Sequence, residues 1–405
     1  MSATFFLLSL FALIMGIYFP NRNYLKLFLF VVITLPFLNI NNKIHVNHQV
    51  PFFLFFFLGG IVKNAYPNRR LSGIDQMLIL MLFFFLCFTV ASIPLFYQND
   101  FINIIKDVKF IFFGFILYVF VLINGPLKTA QLIDFDFFLK WNFIIAIICF
   151  FLMYFFDIHL SLNQDAYFKI NEIRYMNYGT YVIPIYTIYI LANDIAIKKF
   201  NWVYIVVPLL ISGNRTLTLL LFFVSVIIVL KRLSAKKLLV LLVSFVSSFF
   251  FVGLVVSKAS LESPLYRIKK LLSMDYLVSS ISTRLSPFSI ALESFESYNY
   301  IFGKGLGFTY YIPWFHYRQG LDNYNIYLDS LIPTLYGKYG AFLILPLILF
   351  VLYLKKFSDL KSYYYYLIFF LLLGLTNSFL YQNYFIFILF VMFYFKSCSL
   401  AKKSN

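Results

Sequence analysis

The stretch KASLESPLYRIKKLLSMDYLVSSISTRLSPFSIALESFESYNYIFGKGLGFTYYIPWFHYRQGLDNYNIYLDSL, Lys258 to Leu331, is the only long polar segment of the chain. It carries Arg267, Lys269, Lys270, Arg284, Glu293 and Glu296. Alternate glycines follow at Gly303, Gly305 and Gly307, then the acids Asp322 and Asp329. On either side the chain is close to continuous hydrocarbon. Of 405 residues, 62% are hydrophobic and 12% charged, against roughly 25% charged in a soluble domain. That leaves too little polar surface to cover a water-soluble body. The expected solvent is lipid, because many apolar runs reach the roughly 17–25 residues that a spanning helix needs. Backbone groups in lipid must be satisfied within their own segment, so helices are expected. A barrel would show alternating strands of about 10 residues, and the chain has no such pattern.

The predicted fold is therefore an all-α polytopic integral membrane protein with about 12–13 transmembrane helices. Spans are expected near 3–19, 24–40, 51–66, 76–95, 108–123, 142–157, 178–193, 200–212, 216–230, 238–257, 335–354, 363–380 and 383–397. They form one membrane domain, 1–405, with a single large loop at 258–334. The start, Met1 to Phe19, lacks a basic leader and a small-residue cleavage site and reads as a retained span. Within the loop, Ser286-Pro287 is expected to open a helix through Ser297, and Pro264 another through Leu272.

Orientation follows the basic residues of short loops. Lys231, Arg232, Lys236 and Lys237 mark one cytoplasmic loop, Lys355, Lys356 and Lys361 another, and Lys402 and Lys403 a cytoplasmic C-terminus. The same register places Lys43, Lys106 and Lys109 in short outer loops and the 258–334 loop outside. The ionisable residues keep clear of the span centres. Most aromatic side chains are expected to face lipid, with Tyr363 to Tyr366 anchoring a span end at the headgroups. Trp314, Tyr310, Tyr311 and Tyr317 instead lie in the outer loop, where rings can stack on sugars.

A net charge of +17 does not imply nucleic acid, because the basic residues are scattered among apolar spans rather than gathered on one domain. Cys87, Cys149 and Cys398 lie apart in apolar runs and make no disulfide framework. His45 and His48 share a short loop with no third ligand nearby, so no metal site is expected.

Four outer features occur in order: Arg174 in Glu172-Ile-Arg-Tyr-Met-Asn-Tyr-Gly179; Arg215 in Ser212-Gly-Asn-Arg-Thr216; Arg284 followed by Phe302-Gly-Lys-Gly-Leu-Gly-Phe308; and Asp322-Asn323 through Asp329-Ser330 to Gly337-Lys-Tyr-Gly340. A guanidinium in a turn as short as 212–216 is costly at a membrane boundary unless it is paired or snorkels. Three arginines on one face suit an anion, since the guanidinium fork matches phosphate oxygens. The glycine run reads as a tight backbone turn rather than a dinucleotide fingerprint.

Together these features, across residues 174–341, resemble the superfamily of O-antigen polymerases and O-antigen ligases. These are polytopic inner-membrane glycosyltransferases with one large outer loop. The ligase pattern has a His followed eleven residues later by a Gly. Counting back from Gly340 puts Asp329 at that place, while a dipeptide match selects Asp322-Asn323. The acidic residue is more like the polymerases. The resemblance implies a metal-independent, cofactor-free, inverting enzyme of the bacterial cytoplasmic membrane. It would join undecaprenyl-diphosphate-linked repeat units into O-antigen, capsule or exopolysaccharide. Asp329 or Asp322 would be the general base, and Arg174, Arg215 and Arg284 would hold the diphosphate. Trp314, His316, Tyr317 and Asn323 are the candidate glycan contacts. Such enzymes usually work beside a chain-length regulator. The alternatives are an O-antigen ligase, a flippase for the same lipid-linked oligosaccharide, and a structural scaffold of an export complex.

Overall fold

Among the described residues, helices follow one another wherever the sequence is apolar. The computed structural model describes residues 3–19, 22–34, 49–63, 72–95, 99–124, 135–156, 175, 177–195, 201–212, 214–231, 274–313, 323–382 and 384–404. The first six helices are α1 (Ala3–Ile17), α2 (Arg22–Thr34), α3 (Gln49–Lys63), α4 (Gly73–Leu95), α5 (Phe101–Asn124) and α6 (Phe135–Phe156). After them come α7 (Tyr178–Ala192), α8 (Asn201–Ser212) and α9 (Arg215–Leu230). The polar stretch contributes α10 (Met274–Glu293), a single turn α11 (Asn299–Phe302), and strands β1 (Tyr310–Tyr311) and β2 (Tyr324–Asn325). The chain closes with α12 (Leu331–Tyr339), α13 (Ile344–Phe357), α14 (Leu360–Gly374) and α15 (Tyr384–Ser404). The all-α class holds, since the described sheet is one antiparallel pair in which Tyr310 faces Asn325 and Tyr311 faces Tyr324. The expected span 238–257 and the expected helix 264–272 lie outside the described residues.

Two helices form the centre. Residues 178–190 of α7 and 384–395 of α15 are buried on every side, as a helix without a polar face must be. They run parallel: Tyr181 stacks on Tyr384 with centroids 3.7 Å apart, and Tyr189 stacks on Phe395 at 4.6 Å. Around α15, the rings of Phe28, Phe53, Phe56, Phe57 and Phe120 close on Phe387 and Phe390. These phenylalanines were expected to face lipid and instead make the core, because rings give much buried area with few rotamers to fix. Tyr366, expected as a headgroup anchor, is buried and donates to the Ile185 carbonyl at 3.0 Å. Elsewhere the outer faces are apolar too. Phe6, Leu80, Phe83, Phe112, Phe155 and Leu219 are among many large side chains left exposed. Among the described residues, two segments, Phe135–Met153 and Leu331–Phe357, are long and apolar enough to cross a membrane.

Polar contacts collect at the two ends of this bundle. At one end Asn99, Asp107, residues 303–308 and Lys338 meet. At the other, Asp75 at the start of α4 pairs with Lys356 at the end of α13 and accepts from Tyr118 (3.1 Å) and Ser72 (2.6 Å). Asn193 meets Asp359 and Ser362 there, and Asn201 donates to Asp136. We call these the loop end and the far end. Lys106 and Lys109, expected in a short loop, belong to α5, which starts at Phe101. Its extra turns are held by the burial of Asp107 against Lys338.

Pro287 also departs from expectation. It lies inside α10 rather than opening a helix. A proline at 287 cannot donate to the carbonyl of residue 283, and the Ser286 hydroxyl takes that place, donating to Thr283 O at 2.9 Å. The helix therefore passes through.

Helices α1 and α3 cross with their backbones in contact. A Cβ on Gly59 would lie 2.3 Å from Leu13 O, and one on Gly16 would lie 2.0 Å from Phe56 O. Gly59→Leu is expected to cost about 1–3 kcal/mol or more, since main chain cannot yield as a side chain can. Gly73→Ala, with nothing within 4 Å of the new Cβ, should leave the protein intact. Thermal unfolding of the two purified variants checks the contrast, and equal midpoints would refute it.

Candidate functional site

The loop end is built on the run Gly303-Lys-Gly-Leu-Gly307. All three glycines have left-handed backbone, with φ of 74°, 81° and 82°, a region that other residues enter at a cost. This turn lies on the α12 backbone. Lys304 N–H donates to Gly337 O (2.8 Å) and Gly305 N–H to Lys338 O (3.0 Å). The approach is so close that a Cβ on Gly303 would lie 2.3 Å from the Lys338 carbonyl. From the other side, Asn99 Nδ2 donates to Lys304 O and Leu306 O, both at 2.9 Å.

Asp107 and Lys338 fasten the end of the turn. Both side chains are fully buried and form an ion pair. Asp107 also accepts from Gly307 N–H at 2.6 Å, and Lys338 Nζ donates to Phe308 O at 3.0 Å. Among the described residues, the second carboxylate oxygen of Asp107 and the Tyr339 hydroxyl have no hydrogen-bond partner. Neither member of this pair was among the expected site residues. Lys338 stood in a quoted motif without a role, and Asp107 is 231 positions away.

The chain then enters the hairpin. Tyr310 is fully buried and donates to Thr334 O at 2.7 Å. Burial, and behind it the Asp107 charge, pushes its phenol well above its ordinary value, so it remains a donor. Its expected place among the sugar-facing rings is corrected: it is a strut between β1 and α12. Tyr311, one residue on, points the other way and is exposed beside Tyr324. After β2, Thr334 Oγ accepts from Leu328 N–H (2.9 Å), Ser378 donates to Leu328 O (2.5 Å), and Ser330 Oγ donates to Gly374 O (3.3 Å). Asp329 is thus held through both neighbours, with its own side chain exposed.

Of the other expected residues, Arg174, Trp314, His316, Tyr317 and Asp322 lie outside the described residues. Asn323 is half-buried, and its carbonyl accepts from Ile312 N–H at 2.7 Å. Arg284 is exposed on α10, which packs on β1 and α12. Arg215 is the first residue of α9, and Ser212 is the last of α8. Asn214 caps α9, accepting from Leu217 N–H at 3.1 Å. Tyr175, the residue after Arg174 in sequence, donates its N–H to Ile211 O at 3.3 Å, which joins Tyr175 to the end of α8.

Helix α9 packs against α14. The two run antiparallel, since Lys231 at the end of α9 lies over Tyr365 near the start of α14. Arg215 therefore lies at the same end of the bundle as Gly374, the residue to which Ser330 is bonded. Along α7, α8 and α9 runs a cavity of about 690 Å³, lined by Trp202, Val206, Leu210, Thr218, Phe222 and Val226 among others. Among the described residues no three His, Cys, Asp or Glu side chains gather to share a metal ion.

Residues 138–404 match DUF6369, a family of unknown function. The chain belongs to that family. Comparison with curated proteins gives no match. The matched region includes α7 to α15, with the glycine turn, Lys338 and Asp329, but it leaves out Asp107.

Tyr310→Phe is expected to destabilise the protein by about 1–3 kcal/mol, because a buried carbonyl loses its donor. Tyr311→Phe should change stability by no more than about 0.5 kcal/mol. Chemical denaturation of both variants checks the difference, and an unaffected Tyr310→Phe would sink the strut assignment.

Proposed function

We propose that this protein is a polytopic membrane glycosyltransferase that joins lipid-diphosphate-linked oligosaccharide repeat units into a polysaccharide on the outer face of the cytoplasmic membrane. Membrane insertion is supported by the apolar outer faces of the helices, which far exceed the isolated apolar patches of soluble proteins. It is also supported by the segments Phe135–Met153 and Leu331–Phe357, each long and apolar enough to cross a membrane.

The observation that carries the catalytic reading is that Tyr175, Arg215 and Asp329 lie at one end of the bundle. Their links are the Tyr175–Ile211 and Ser330–Gly374 hydrogen bonds. In this reading Arg174 and Arg215, with Arg284 from α10, grip the diphosphate. The cavity below Arg215 takes the polyprenyl chain, because its lining is almost wholly apolar and Thr218 lies one turn under that arginine. Asp329 is exposed and fixed by its neighbours, so it suits a general base better than a structural acid. It removes the proton from the acceptor hydroxyl. That oxygen bonds to the anomeric carbon as the anomeric carbon–oxygen bond to the diphosphate breaks. The electron pair leaves on the diphosphate, where the arginines stabilise it. Trp314, His316, Tyr317 and Asn323 contact the glycan, Asp322 is the alternative base, and a chain-length regulator is the expected partner.

Arg215→Ala, Arg284→Ala and Asp329→Asn are each expected to abolish long-chain glycan in cells at wild-type protein level. In a purified system Asp329→Asn should lower the rate by roughly 100-fold or more. Wild-type polymer length in the arginine variants would refute the assignment.

A further inference from the structure

The proposed chemistry makes no use of the Asp107–Lys338 pair, yet its geometry fits a definite task. Lys304 and Gly305 are bonded to the α12 backbone, whereas Gly307 N–H and Phe308 O find their partners on the side chains of Asp107 and Lys338. Two residues later Tyr310 is pinned to Thr334, and β1 pairs with the strand that leads into the Asp329 turn. The far-end pair is different. Asp75 and Lys356 bind side chains and the N–H of Ser72, and hold nothing in the described part of the polar stretch.

We propose that Asp107 and Lys338 are positioning residues. Together they fix the exit of the glycine turn, and with it the path of the hairpin and the Asp329 turn. The acid comes from α5, outside the family-matched region, so the N-terminal helices complete the site. The catalytic consequence rests on the reading above, whereas the structural consequence stands apart from it.

The test uses the purified full-length protein and lipid-linked repeat units extracted from cells lacking it. Hydrogen exchange over 303–309, yield of folded protein and polymer formed are compared for K338M, D107N, D107N/K338M and the control D75N/K356M. K338M leaves a buried carboxylate alone and should lower the yield. D107N/K338M removes both charges and should recover the yield. It should still exchange about tenfold faster across the turn, the worth of one hydrogen bond, and still make less polymer. D75N/K356M should keep wild-type exchange and wild-type polymer.

Wild-type exchange and polymer in D107N/K338M would overturn the proposal, leaving the pair as mutual neutralisation alone. Faster exchange with unchanged polymer would overturn the link to the Asp329 turn. If the wild-type protein makes no polymer, the glycosyltransferase reading fails, and the exchange arm still decides whether the pair positions the turn.

Discussion

A carboxylate and an ammonium taken wholly out of water set the terms for the loop end. Desolvating each ion costs several kcal/mol, and mutual attraction offsets this only when further hydrogen bonds satisfy the remaining groups. Here those bonds come from backbone, the Gly307 N–H and the Phe308 carbonyl. The pair is therefore tolerable only with the glycine turn in place. The turn in turn needs left-handed residues that nothing but glycine adopts cheaply. Loss of any one part leaves a buried charge or a buried amide without a partner, so the node forms as a unit.

This dependence explains which parts of the protein could be read from its sequence. Helix positions were legible because a run of apolar residues in lipid has one way to satisfy its backbone. Residues 178–192 and 201–212 match the expected spans to within a residue or two. The glycine turn was legible as well, because alternate glycines signal repeated positive φ. The inward and outward sides of the helices were not. A chain that is apolar on all faces carries no stripe to say which rings are core, so Phe28, Phe56 and Phe390 could not be told from Phe83 or Phe155. Asp107 was hidden for a related reason. Flanked by Lys106 and Lys109, it looks like a loop charge, and its partner is far along the chain. The proline in α10 misled because Ser286 supplies the donor that Pro287 lacks.

The candidate site shows the same division. Arg215 and Asp329 are the kind of residue that sequence can flag, a charge in a short turn and an acid at the end of a polar stretch. What holds Asp329 is a set of hydroxyl-to-carbonyl bonds, from Ser330, Thr334 and Ser378. Serine and threonine in such positions carry no distinctive pattern. Their meaning comes from the carbonyl they meet, and that is a property of the folded chain.

Helices α4 and α5 raise a problem of register that hydropathy alone leaves open. Two apolar cylinders can slide or rotate past their neighbours with little change in buried area. A slip of one turn, about 5.4 Å, would exchange one set of hydrocarbon contacts for another. The two ion pairs remove this freedom. Each joins an acid of the α4–α5 hairpin to a lysine of the α12–α13 segment, one at each end of the bundle. A single pin would let the hairpin swing about it. With two, sliding and rotation each break a charge pair. The far-end pair sets the register of α4 against α13, while the position of Asp107 under the glycine turn is set by its own pairing with Lys338.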